Sequence, residues 1–399
     1  MTADQLADHL RRPHMRPFQP LALSKDGQTY VGLRDPLSLA GQMMVISPQA
    51  LPLLQQFQGT KTIDEIAADF KIPQSTQLVE LARKLDEFGL LWGPTFERLE
   101  GELKTRLLQR GAFPVGATQM LGSSSDECLA ALRGWVDQTD DPELDATPVG
   151  IVSPHLDYAR GWPNYAAAYR CLDAVEQPDR VVVLATNHFG LGDGVVMTEL
   201  GFETPLGTCA SDRAVVEAMH KRLGRSLLVD QLDHHAEHSV QLQLPWLQHR
   251  FGNVPVVAAL VPDPLQPMVA DDGGRVTLEA FVDAMRDTLS EIGGRTFYVS
   301  SADLSHVGPQ FGEPRPVDDQ RRIDVERHDR DMMGKFMSGP TEFLEAMRWC
   351  KNPTRWCSVG NMYATLLLSG AEQIELIDYR QACDDQGACL VSSAAMALI

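Results

Sequence analysis

Histidine, carboxylate and cysteine side chains gather in five short stretches of this 399-residue chain. They are Pro154-His155-Leu156-Asp157-Tyr158, Thr186-Asn187-His188, Asp233-His234-His235-Ala236-Glu237-His238-Ser239, Asp303-Leu304-Ser305-His306 and Trp356-Cys357-Ser358. Imidazole, thiolate and carboxylate groups bind transition metals, and imidazole also carries protons near neutral pH. These residue types therefore point to metal-assisted or acid–base chemistry. His234 and His238 are four apart, a spacing that places both on one face of a helix and lets them share a metal. Read literally, His234-x-x-Glu237-His238 is the inverted zinc-peptidase pattern. Pro245 breaks that helix soon afterwards, and no downstream carboxylate ligand is identifiable, so the peptidase pattern stays incomplete. Cys357 precedes an apolar segment that reads as a helix. A thiol at a helix N-terminus is favoured as thiolate, a nucleophile or a soft metal ligand. The competing reading is a buried structural cysteine, the reading given to Cys350, Cys383 and Cys389. No strand is followed by a GxSxG elbow, a phosphate-binding loop or a GxGxxG turn, and Gly190–Gly194 has the wrong spacing for one.

The elements that must position these groups alternate from Pro148 onward. Val149–Val152, Arg180–Ala185, Val254–Leu260 and Thr296–Ser300 read as strands. The second is an unbroken apolar run, as in the middle of a parallel sheet. Tyr165–Leu172, Arg213–Arg222, Val276–Ser290, Arg321–Met337 and Met362–Leu368 read as helices, Ile374–Tyr379 as a strand, and Ala388–Ile399 as a last apolar segment. The expected fold is α/β, with a central, mostly parallel sheet flanked by helices. His155, His188 and the Asp303–His306 stretch each follow the C-terminal end of a strand, where open α/β sheets bind ligands.

A different pattern precedes this region. Leu21–Leu23 and Thr29–Leu33 flank a Lys25-Asp26-Gly27 turn and predict a hairpin. Helices are expected over Ala50–Phe57, from Thr62 (with Glu65 completing a capping box) and over Gln74–Phe88, then a short strand at Leu90–Trp92. The last helix carries Val79, Leu81, Leu85 and Phe88 at helical spacing. This small α+β module over residues 1–95 is similar to winged-helix and PqqD-like modules, which implies binding of a peptide or partner protein. The other reading is a packing appendage. Residues 96–109 read as a linker helix, and residues 110–399 as the main domain. Residues 1–105 carry 13 acidic and 11 basic side chains, so all but 2 of the 19 net negative charges fall on the remainder.

That acidity disfavours nucleic acid and anionic membrane as partners, because like charges repel. No apolar run is long enough for a transmembrane helix, and the first residues lack the apolar stretch of a secretory signal. Seven scattered cysteines without a CxxC pair fit reduced thiols, so a cytoplasmic location is expected.

Taken in order, the motifs resemble those of the MEMO family, which includes the AmmeMemoRadiSam system protein B group. They are Pro154–Tyr158 with Gly161, Thr186-Asn187-His188-Phe189, Thr204-Pro205-Leu206-Gly207, Glu237-His238-Ser239 with Leu244-Pro245, Asp303–His306 and Cys357. The resemblance covers roughly residues 110–399. It implies a fold like that of class III extradiol dioxygenases. It also implies a mononuclear metal held by His155, His188 and Cys357, with His238 as general acid/base and Asp303 and His306 lining the same crevice. Iron(II) or copper suits such a donor set, and zinc also fits. The implied function is redox or oxygen-dependent chemistry on a small molecule or peptide, with a radical-SAM protein as a partner. A non-catalytic ligand- or metal-binding protein is the alternative. Val115-Gly116-Ala117 echoes only part of the family's usual start, and Ser358 stands where a glycine usually follows the cysteine.

Overall fold

A computed structural model describes residues 6–25, 27–190, 192–266 and 275–399. Asp26 of the hairpin turn and Leu191 of the Gly190–Gly194 stretch lie outside the described residues. The chain forms two units, Met1–Arg110 and Gly111–Ile399.

In the first unit, β1 (Gln19–Lys25), β2 (Gln28–Arg34) and β3 (Met44–Ile46) form an antiparallel sheet. The hairpin is the expected one; β3 was not anticipated. α1 (Ile63–Asp69) starts at the Thr62 cap, and the Glu65 side chain reaches back to the Thr62 N–H in a complete capping box. α2 (Thr76–Glu87) buries Leu78, Ala82 and Leu85, a stripe rotated from the expected one. The expected Ala50–Phe57 helix is only a 3-10 turn followed by Leu51–Leu54. Leu90–Trp92 does not join the sheet. It pairs instead with His14–Arg16 through a single bridge at Met15 and Leu91, so no wing strand forms there. α3 (Pro94–Arg110) completes the unit.

The second unit contains a mixed sheet. β4 (Gly150–Ser153), β5 (Arg180–Thr186), β7 (Val256–Val261) and β8 (Thr296–Ser301) run parallel, while β6 (Val196–Met197), β9 (Asp303–Val307), β10 (Ile374–Cys383) and β11 (Leu390–Leu398) pair antiparallel. The order is β9-β11-β4-β8-β5-β7-β6, with β10 on β11. The expectation of a mostly parallel sheet is thus corrected: the parallel core is four strands wide and the flanks are antiparallel. The reason is local. Only a short turn separates β10 from β11, and a parallel pair needs a crossover of a dozen or more residues.

Helices cover this sheet. α5 (Arg213–Leu223) and α6 (Leu278–Ile292) pack against β5 and β7 through Val215, Met219, Phe281, Met285, Leu184 and Val257. α7 (Asp319–Ser338), α8 (Pro340–Cys350) and α9 (Val359–Ser369) join Phe336, Phe343, Trp356 and Met362 to Val152, Leu304 and Met396. α4 (Tyr158–Arg170) follows β4, capped by the Asp157 side chain. No helix among the described residues is long and apolar enough to cross a membrane.

Candidate metal centre

Each histidine of the site is held by one ring nitrogen, which leaves the other free to bind. His155 lies two residues past β4. Its backbone N–H donates to Asp303 Oδ1 at 3.0 Å, and its Nδ1 lies 3.0 Å from the Ser301 carbonyl. A carbonyl only accepts, so Nδ1 carries the proton and Nε2 presents a lone pair. That Nε2 is 3.3 Å from Cys357 Sγ. Burial, reinforced by the neighbouring imidazoles of His188 and His238, drives the His155 pKa well below its ordinary value. The ring is neutral at pH 7, the form that binds a metal.

His188 follows β5 and is held by Glu237. The fully buried carboxylate accepts the His188 backbone N–H at 2.7 Å and faces His188 Nδ1 at 3.1 Å. It also accepts the Ser239 N–H at 2.9 Å and lies 3.2 Å from His238 Nδ1. Burial alone would raise the Glu237 pKa. The charges and hydrogen bonds of His188 and His238 outweigh it and hold the carboxyl well below the usual range. The same balance acts on His188 in reverse. Burial lowers its pKa, and the Glu237 charge, aided by Cys357, overcomes this and raises it well above normal. His188 and His238 stack at 4.9 Å between ring centroids, and His155 meets both edge-on.

Cys357 reaches the histidines on a preset loop. Lys351, Asn352 and Arg355 have φ of +59°, +47° and +59°, a region costly for residues with a Cβ. Asn352 holds this shape by bonding both the N–H and the carbonyl of Trp356, at 2.7 and 2.9 Å. The Trp356 indole N–H donates to Asp329 Oδ1 at 2.8 Å. Thr186 Oγ1, at the end of β5, donates to the Cys357 carbonyl at 3.1 Å. α9 begins at Val359, two residues past the thiol. A Cβ on Gly360 would sit 2.0 Å from the Pro262 carbonyl, so only glycine lets this first turn lie against the end of β7.

The donor atoms of His155, His188 and Cys357 lie within 4.8 Å of one another, as do those of His188, Glu237 and His238. A metal with N and S ligands at tetrahedral angles separates its donors by about 3.5 Å. The 3.3 Å Nε2···Sγ contact therefore matches what a shared ion requires. In the second group the Glu237 oxygens are already engaged by His188, His238 and Ser239, so Glu237 orients rings more readily than it binds an ion.

The remaining expected residues divide. Asp303 opens β9, a strand where a loop was expected. Its Oδ1 accepts the N–H groups of His155 and Leu156, and burial, opposed by those two bonds, pushes its pKa up to about 6. His306 bonds the Leu304 carbonyl through Nδ1, packs edge-on to Phe311, and is lowered by burial to about 4. It lines the cleft without joining the convergent donors.

His234 does not belong to the site. It sits in a 3-10 turn, Gln231–His235, while His238 begins a separate short helix, so no common helical face exists. Its ring is fully buried beside Phe113 and Phe202, with Nε2 3.1 Å from the Val196 carbonyl. The extended backbone at Glu237 breaks the helix that the inverted-peptidase pattern requires.

A cleft of about 470 Å³ opens over His155, His188, His238, Asp303 and His306, with Phe311 and Val391 among its apolar walls. Cys389, read from sequence as structural, also lines it, 3.8 Å from the Arg160 guanidinium. Sequence reasoning missed Glu237 as the orienting carboxylate, although it lies in the Glu237-His238-Ser239 motif. It also missed Ser301, which acts through its backbone carbonyl, and Asn361, whose side-chain amide donates to that carbonyl at 2.6 Å. Residue type gives no signal for such a role.

Comparison with known proteins identifies relatives of this chain. The profile of the family described as Memo-like protein matches residues 116–397. A MEMO1 family protein of Aquifex aeolicus is 27% identical over 319 residues, covering 78% of this chain and 80% of its own. One from Methanopyrus kandleri is 30% identical over 290 residues, covering 69% of this chain and 92% of its own. One from Thermotoga maritima is 36% identical over 166 residues, covering 41% and 55%. With a family match over most of its length and these relatives, the chain belongs to the Memo-like (MEMO1) family.

Proposed function

We propose that the second unit is a mononuclear metalloprotein, with His155, His188 and Cys357 as ligands, acting on a small molecule or peptide that enters the cleft. The observation that carries this reading is the convergence of three donors whose other contacts are already committed. Iron(II) or copper suits the mixed imidazole–thiolate set, and zinc also fits. Such an ion, when bound, supplies Lewis-acid or redox chemistry with oxygen as co-substrate. The chain's own residues do the rest. His155 is kept neutral and its Nε2 aimed by the Ser301 carbonyl. Glu237 fixes the rings of His188 and His238. His238 is the residue to exchange a proton with substrate through Nε2, because its Nδ1 faces Glu237. Asp303 and His306 shape the cleft wall. The first unit is proposed to recruit the peptide substrate or a partner such as a radical-SAM protein.

Elemental analysis of protein purified without oxygen, wild type beside Cys357→Ala, tests the site. Near-stoichiometric iron or copper in the wild type, lost in the variant, is the expected result. Zinc retained by the variant, or full metal retention in His188→Ala, would overturn the ligand set.

A further inference from the structure

A second cavity, of about 510 Å³, has Cys357 in its lining, and none of the three histidines lines it. The cavity beside the cysteine differs in character from the cleft over the histidines. The cleft is lined by imidazoles and apolar side chains. The second cavity has buried Met347 and Trp356 in its wall and the cations of Arg348, Lys351 and Arg355 around it, with Asp263 as its one carboxylate among the described residues.

Three cations against one carboxylate is a local inversion in a chain of net charge −19. These cations are scarcely neutralised. Arg348 and Lys351 have no ion-pair partner among the described residues. Arg355 has only a 3.8 Å approach to Glu313 and a 3.4 Å contact to the His306 carbonyl. Asp263 already accepts the Leu265 N–H at 2.9 Å. The loop that carries Lys351 and Arg355 is the one Asn352 holds rigid, so both are placed by the same backbone that places the thiol. A positive cavity with an apolar wall suits an organic anion, with its acidic group at the guanidinium groups and its carbon body against Trp356.

We propose that this second cavity binds a small carboxylate- or phosphate-bearing molecule within reach of the Cys357 sulfur. The site does not require the metal, so it can be tested on the metal-free full-length protein. Iodoacetate and iodoacetamide are the probes. In each, the Cys357 thiolate displaces iodide and forms an S–CH₂ bond, and only iodoacetate carries a negative charge. Alkylation of Cys357, carboxymethyl from iodoacetate and carbamidomethyl from iodoacetamide, is followed by peptide mass spectrometry in wild type and in Arg348→Gln/Arg355→Gln. The double variant should lower the iodoacetate rate about tenfold, the scale of charge focusing in a cleft. Its iodoacetamide rate should stay within about twofold, which also reports an intact fold. In the wild type, sodium benzoate or inorganic phosphate at constant ionic strength should protect Cys357, and whichever does so identifies the acidic group. An iodoacetate rate unchanged in the double variant, or protection by neither anion, would overturn the proposal. Either failure leaves the metal reading standing, and a metal-free elemental analysis leaves this one standing.

Discussion

Among the described residues of the second unit, two carboxylates, Glu237 and Asp329, are completely out of solvent. Each is surrounded by donors, yet their pKa values move in opposite directions. Asp329 is bonded by neutral groups: the Trp356 indole and the hydroxyls of Ser305, Ser392 and Tyr379, at 2.5–2.8 Å. Burial outweighs all four, and its pKa rises. Glu237 faces two imidazoles, and burial loses. The difference teaches that neutral hydrogen bonds return only part of the desolvation cost of a charge, whereas a partner that can itself become charged reverses the sign. Asp329 therefore knits β9, β10, β11 and α7 to the residue before Cys357. Glu237 raises the pKa of His188.

The sharpest way to break this contrast is Glu237→Gln. An amide cannot accept every bond the carboxylate accepts, so His188 and His238 lose their fixed orientation. Metal affinity should fall about 10- to 100-fold, the usual cost of removing a residue that orients a ligand. A chelator-competition titration reads this, and an unchanged affinity would remove Glu237 from the site.

The same residue predicts a pH dependence. The raised pKa of His188 means that its imidazolium persists above its ordinary titration range in the metal-free protein. A metal must displace that proton, so apparent affinity should rise with pH up to the raised pKa. Calorimetry of zinc binding in two buffers of different ionisation enthalpy should count about one proton fewer in Glu237→Gln than in wild type.

Asp329 should behave as the structural member of the pair. Asp329→Ala leaves the hydroxyls of Ser305, Ser392 and Tyr379 without their acceptor, while the Trp356 indole keeps Ser305 Oγ at 3.2 Å, and should cost about 2–3 kcal/mol; Asp329→Asn should cost about 1 kcal/mol. Its folded pKa lies above its unfolded one, so ionisation is harder in the folded state. The wild type thus loses stability as pH rises from the unfolded value through the folded one, and Asp329→Asn should lack that slope. Urea unfolding across this window checks the sign. A slope that persists in Asp329→Asn would mean another group carries it.

The smallest expected effect on metal is that of His234→Ala. Metal content should match wild type, while stability falls by about 2 kcal/mol for the emptied core position. Metal loss with an unchanged unfolding midpoint would reinstate the rejected peptidase pairing.

The sequence determined which groups can bind a metal, and at which strand ends. His155 and His188 were legible because each follows an apolar strand, and strand period and apolar runs are local properties. The Thr62–Glu65 capping box was legible for the same reason: its four residues contain all of its chemistry. Tertiary structure alone decided the rest. Nothing local separates His234 from His238; a change of backbone at Glu237 sends one ring into the core and the other to the cleft. Nothing in the spacing of Cys357 from His155 brings their donor atoms to 3.3 Å; the strained Lys351–Trp356 loop and the close packing at Gly360 do. The antiparallel flanks of the sheet, the orienting role of Glu237 and the cationic cavity beside Cys357 likewise depend on contacts between residues far apart in the chain. Local sequence fixes conformational preference, but which atoms share a low-dielectric site is set by how the chain packs.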